Sequence, residues 1–156
     1  MKKILFGLFS LLLILGLAAS CKGAAADISP TSELPAGAPG VVKLNYFYES
    51  DACFCLALAG DWIRDTVHNE YKSQLNSGKL AYNEYDTKDA ANKAKMEEFT
   101  ATNYALFITV DKGGQPSTHS VNGLWLYTDS SGTNELLKSK FIGLLKKEID
   151  KALAGE

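Results

Sequence analysis

The sequence predicts an α/β domain, a mixed central sheet with helices on both faces and the element order β-α-β-α-β-β-α, over residues 41–156. Three observations predict it. Val41 to Tyr48 (VVKLNYFY) is rich in β-branched and aromatic residues and runs straight into a stretch with helical apolar spacing. Tyr104 to Val110 (YALFITV) is an unbroken apolar run, the pattern of a strand covered on both faces. A last segment carries Phe141, Leu145, Ile149 and Leu153 in steps of four, the mark of a helix with one buried stripe.

Each element has its own local reason. Pro39–Gly40 precedes the first strand, Val41 to Tyr48. Ser50 or Asp51 is placed to cap the helix that follows, because a short oxygen-bearing side chain accepts from the first free N–H groups. Leu56, Ala59, Ile63, Val67, Tyr71 and Leu75 line that helix, and Asn76–Ser77–Gly78 stops it. Trp62 reads as covering the helix's exposed side, and Trp125 as core. Lys79 to Tyr85 is a second strand, with Leu80, Tyr82 and Glu84 on one face. Asp86–Thr87–Lys88–Asp89 turns the chain into a short, mostly polar helix over 90–100, anchored by Met96 and Phe99. The run Tyr104 to Val110 follows, then the hairpin turn Asp111–Lys112–Gly113–Gly114. Gln115 to Val121 is an exposed strand that Pro116 assigns to an edge, since proline cannot donate to a ladder. Thr133 or Asn134 caps the last helix. Two right-handed parallel crossovers and a hairpin then build the sheet.

The residues ahead of the domain read differently. Lys2 and Lys3 give a positive start, Ile4 to Leu17 is almost wholly apolar, and Ala18–Ala19–Ser20 are small. A secretory signal over 1–20 fits. An uncleaved membrane anchor is the alternative, against which the apolar run falls short of the roughly 20 residues that span a bilayer. Residues 21–40 hold three of the chain's four prolines with Gly, Ala and Ser, and predict a flexible linker. Extended, it reaches on the order of 60 Å at roughly 3.3 Å per residue.

Charge excludes one class of function. Without Lys2 and Lys3 the rest carries 14 basic and 18 acidic groups, a net of −4. That balance argues against nucleic acid, whose phosphates need a basic surface. Hydrophobic content of 46% with 22% charged residues is ordinary for a globular domain, so nothing points to disorder of the whole. No P-loop, Ser-His-Asp order or dinucleotide fingerprint is present, and no cofactor is implied.

The chemistry-bearing residues are Cys53 and Cys55, where the first strand hands over to the helix. Free N–H groups and the helix dipole favour a thiolate there. In thiol–disulfide exchange Cys53 is the attacking thiolate and Cys55 the resolving thiol. Residues two apart on a helix point to nearly opposite sides, so a bond between them requires Cys53 to lie outside the regular helix. The small ring is also expected to be strained, which favours oxidant or isomerase behaviour. The bland reading makes the pair a relic or a structural disulfide, with Cys55 packed as a small apolar residue. A third reading gives two thiolates holding a soft ion. Further ligands would have to come from Met96, His68 or His119; His68 lies about 20 Å down the helix and His119 on the edge strand, so neither histidine has ligand spacing with the cysteines. Asp61 and Asp65, four apart on the helix, read as a solvated face.

Two resemblances add to this. The small residues leading to Cys21 resemble a bacterial lipobox, with Ala18 where a large aliphatic residue is usual and Leu17 one step further back. The resemblance implies lipidation of Cys21, cleavage before it and acylation of the new terminus. More than one acyl chain gives stable anchoring. With ordinary signal cleavage Cys21 is instead an odd, reactive thiol.

The element order, Tyr46–Phe47 followed by Cys53, and the later Trp125–Leu126 pair before a helix together resemble the thioredoxin-like fold of small envelope proteins. The resemblance covers Val41 to about Leu153. It departs in two places. The family's Cys-x-x-Cys is Cys53–Phe54–Cys55 here, with Leu56 where the second cysteine stands. The family's cis-proline before the third strand is replaced by Thr102–Asn103–Tyr104–Ala105, where a cis bond costs about 2.5–4 kcal/mol and trans is expected. Phe54 and Tyr104 are the candidate site-lining residues. The resemblance implies a thiol–disulfide oxidoreductase or redox partner in the bacterial cell envelope, meeting envelope proteins with thiols or disulfides and reaching the membrane through its lipid. A non-catalytic, membrane-anchored binding module of the same fold is the alternative.

Overall fold

A computed structural model describes residues 40–129 and 134–156. The expected signal segment over 1–20, Cys21, the expected linker to Pro39 and the cap candidate Thr133 lie outside the described residues. The chain is α/β, with four strands and four α-helices among those residues: β1 (Val42–Tyr48), α1 (Phe54–Glu70), α2 (Lys72–Asn76), β2 (Leu80–Asp86), α3 (Lys93–Phe99), β3 (Ala105–Lys112), β4 (Gln115–Ser120) and α4 (Glu135–Ala154). Short 3-10 turns over Ala90–Asn92 and Leu124–Tyr127 complete it. None of these helices is long and apolar enough to cross a membrane.

The sheet is mixed, in the order β2-β1-β3-β4. β1 pairs parallel with β2 and antiparallel with β3, and β3 pairs antiparallel with β4. This corrects the expected second parallel crossover. β2 ends with Asp86 beside Tyr48, and β3 begins with Ala105 beside Phe47, at the same end of the sheet. α3 has seven residues, roughly 10 Å at 1.5 Å each, too short to carry the chain back along the strands. The chain therefore re-enters where it left, and β3 runs the other way. β4 is the edge strand that Pro116 predicts, with all six residues exposed.

One core lies where α1 and α4 meet the sheet. Leu44, Ile63, Leu106, Ile108, Phe141, Leu145 and Ile149 are buried in it. Each large apolar side chain there contributes about 1.5–3 kcal/mol relative to leaving it in water. The predicted stripe of α1 supplies Ala59, Ile63 and Val67. Trp62 corrects the expectation of a surface residue: it is 6% exposed and packs edge-on against Phe141, 5.4 Å between ring centres. A neighbouring helix widens the buried arc of α1. Tyr71 reinforces the same seam, donating to Asp150 Oδ1 at 2.8 Å. Trp125 is half-buried and stacks on Tyr46. Phe47, Phe99 of α3 and Phe107 form a second, smaller aromatic group.

Helix ends differ from expectation in two places. α1 stops at Glu70, where Tyr71 leaves helical geometry at φ −112°, and α2 continues as a separate piece. The N-cap of α1 is Cys53, not Ser50 or Asp51, and no side chain caps it. The backbone N–H of Ser50 instead bonds to Asp86 at 3.3 Å, tying the end of β1 to the end of β2. Asp89 caps the turn before α3, and Asn134 caps α4 through N–H groups of Leu136 and Leu137.

Candidate functional site

Cys53 and Cys55 meet at the N-terminal end of α1. Cys53 has extended backbone (φ −62°, ψ 156°), and Phe54 is the first helical residue. That single non-helical residue overcomes the opposed directions of positions two apart. The sulfur atoms lie 2.9 Å apart as a thiol–thiol hydrogen bond, and both cysteines are free. The carbonyl of Cys53 accepts from Leu56 and Ala57, which opens the helix. The first turn of α1 holds no acidic side chain to compete with a thiolate.

The two thiols differ electrostatically. The hydrogen bond from Cys55, then the N–H of Leu56, holds the Cys53 thiol below its ordinary value. Sharing that hydrogen bond with Cys53 pushes the Cys55 thiol up. Cys53 is therefore the group that ionises first, and Cys55 the group that keeps its proton. Phe54, between them, is 66% exposed, a large apolar side chain presented to solvent.

Tyr104 is near enough to feel the charge of Cys53. Its backbone is left-handed (φ 61°), a conformation that costs a non-glycine residue about 1–3 kcal/mol. Glu49 offsets the cost: its carboxylate accepts from the Tyr104 hydroxyl at 3.0 Å and from the Asn103 amide. Burial, the bond to Glu49 and the nearby Cys53 charge push the Tyr104 phenol up to about 12. Among the described residues no peptide bond is cis, as expected for Asn103–Tyr104.

A cavity of about 180 Å³ is lined by Ala52 and Leu56, which lie on either side of the cysteine pair in the chain, though not by the cysteines themselves. Its lining joins Ala52, Leu56 and Ala57 from around the start of α1 with the tyrosines Tyr46, Tyr48 and Tyr104. Gly60 lies at its base, where the Tyr46 hydroxyl approaches so closely that a Cβ would sit 2.9 Å from it. Arg64 reaches in from α1. It donates through Nε to Glu84 at 2.7 Å and through a terminal nitrogen to Asp61 at 2.6 Å, and these bonds raise its already high pKa further. Lys88 approaches the lining residue Glu49 at 3.6 Å and Asp51 at 3.7 Å.

The structure thus brings Cys53 and Cys55 together with Phe54 between them, and sets Tyr104 within range of the Cys53 charge. It leaves His68 and His119 elsewhere: His68 rests on Tyr82, and His119 faces Glu148 at 3.9 Å. Among the described residues no three His, Cys, Asp or Glu side chains gather as a metal-ligating group. Sequence reasoning missed Glu49, Tyr46, Tyr48 and Arg64. Signals existed for three of them. Tyr46 and Tyr48 share one face of β1 by the two-residue period, and Ala57, Gly60, Asp61 and Arg64 share one face of α1. Cys21 lies outside the described residues. No protein-family model and no curated protein matches the chain.

Proposed function

We propose that residues 41–156 form a thioredoxin-like domain, with α1 and α4 on one face of the sheet and α3 on the other. The domain acts as a thiol–disulfide oxidoreductase or redox partner of envelope proteins that carry thiols or disulfides. It is held at the membrane of a bacterial cell envelope through lipidated Cys21. The observation that carries this reading is the pair of free thiols 2.9 Å apart with opposite pKa shifts at the start of α1.

The chemistry follows from that asymmetry. The Cys53 thiolate attacks one sulfur of a partner's disulfide. That S–S bond breaks, a mixed disulfide forms, and the other partner sulfur leaves as a thiolate and takes a proton. Cys55 then loses its proton and attacks the sulfur of Cys53, and the partner's second sulfur leaves. The partner gains two electrons and two protons, and the cysteine pair is oxidised. The reverse sequence oxidises a partner dithiol. Exposed Phe54 gives the incoming polypeptide an apolar contact. The same contact serves the second reading, a binding module that holds a partner without reacting.

Ellman titration before and after mild reduction, with mass mapping, tests the pair. A reversible Cys53–Cys55 disulfide is expected, and a pair that stays reduced and inert in oxidising buffer defeats the redox reading. Insulin reduction that disappears in Cys53→Ser tests activity; an unchanged rate assigns it elsewhere. The anchor has its own measurement. Mass spectrometry of the mature terminus is expected to find acylated Cys21, and an unmodified terminus at another residue removes the lipid from the proposal.

A further inference from the structure

The cavity lined by Ala52 and Leu56 has walls suited to a particular side chain. Its volume, about 180 Å³, gives room for one long side chain rather than a folded segment. Its position is set by Ala52, Leu56 and Ala57, which flank Cys53 in the chain or bond to its carbonyl. Ala52 directly precedes Cys53, so a residue close to a partner's cysteine would come up against this lining as the partner's sulfur approached Cys53.

We propose that the cavity is a subsite for a lysine or arginine side chain of the partner polypeptide, adjacent to the partner's reacting cysteine. The inference rests on the redox reading above and names the class of polypeptide it acts on. Charge argues for it first. Glu49 and Asp61 line it with Arg64, Glu84 holds Arg64, and Lys88 meets Glu49 and Asp51, so four carboxylates stand against two cations, a formal net of −2. Arg64 and Lys88 are each already held by two of those carboxylates, so an anionic side chain meets no cation without an acidic partner there. The aromatic lining argues for it second. Tyr48 and Tyr104 attract a cation through their rings, and all three tyrosines, Tyr46 included, offer hydroxyl oxygens as acceptors. Burial raises the pKa of all three, so they remain neutral phenols at ordinary pH. The partner gains chemically as well. A cation beside its cysteine lowers that thiol's pKa and makes it a better leaving group.

The test uses short peptides in which cysteine is flanked by Lys, Ala or Glu, each as a mixed disulfide with 2-mercaptoethanol. Rates of reduction by the reduced protein are measured by stopped flow. Each is divided by the peptide's rate with dithiothreitol, which removes intrinsic reactivity. The Lys peptide is expected to react roughly tenfold faster than the Ala peptide, with the Glu peptide slower still. Asp61→Asn should shrink the preference and Asp61→Lys should cancel it, in proteins whose circular dichroism matches the parent. Rates that agree within about twofold across the three peptides, with Cys53 still required, overturn the subsite and leave the redox reading standing. A preference that survives Asp61→Lys unchanged also overturns it. No reduction of any peptide overturns both.

Discussion

Cys53 and Cys55 differ in role although only Phe54 separates them. Cys53 is the lowered thiol, so its reactive thiolate forms at lower pH than in an ordinary cysteine. Alkylation by iodoacetamide should therefore rise with pH to a midpoint below the usual value of about 8.5. Cys55→Ala removes the main cause and should move that midpoint up, as read by mass-resolved alkylation; identical midpoints would refute the assigned cause. Glu49 is the second residue of consequence. Glu49→Gln keeps an acceptor for Tyr104 but removes the charge, so the Tyr104 phenol should ionise earlier, towards about 10. Ultraviolet tyrosinate absorbance against pH reads this directly, and an unshifted titration curve counts against it. The extended backbone of Cys53 was legible in the sequence because the one-residue spacing demands it. Glu49 was not, because its role appears only when the end of β1 meets Asn103 and Tyr104 across 54 and 55 positions.

Among the elements, α1 has the most to hold in place. Its glycine at position 60 lies under the Tyr46 hydroxyl, while Tyr46 is itself stacked between Tyr48 and Trp125. Gly→Ala inside a helix ordinarily stabilises by about 0.5–1 kcal/mol. Here the new Cβ would meet a hydroxyl on a ring packed on both sides, and overpacking costs about 1–3 kcal/mol. Gly60→Ala should therefore lower stability by about 1 kcal/mol in denaturant unfolding. Adding Tyr46→Phe, which deletes the hydroxyl, should recover part of the loss; strict additivity of the two changes would show that the contact carries no energy. Period and turn chemistry made most elements readable, because local patterns write them. Trp62 and the direction of β3 were not readable. The first depends on α4 packing beside α1, and the second on how short α3 turns out to be.

Across the whole molecule, buried phenols tie the core to the solvent's pH. Burial is the largest cause of the raised pKa of Tyr46, Tyr71 and Tyr82. A group whose folded pKa is raised contributes stability in full below its unfolded value and loses it as pH climbs towards the folded value. Stability should hold to about pH 10 and then fall, with tyrosinate absorbance and loss of circular dichroism rising in one cooperative step. Free titration of these phenols near 10 in a folded protein would contradict their burial. The edge strand bears on behaviour beyond one molecule. β4 offers Gln115, Ser117, Thr118, His119 and Ser120, polar and exposed, and Pro116 withholds an N–H. A second copy docking there would find neither an apolar face to cover nor a complete ladder to extend. Crowded chains should therefore not join through β4, and growth of the light-scattering mass with concentration through another surface, such as the β2 edge, should stay unchanged in Thr118→Lys. Pro116→Val, which restores the donor and adds an apolar branch, should be the change that lets strands of neighbouring copies join.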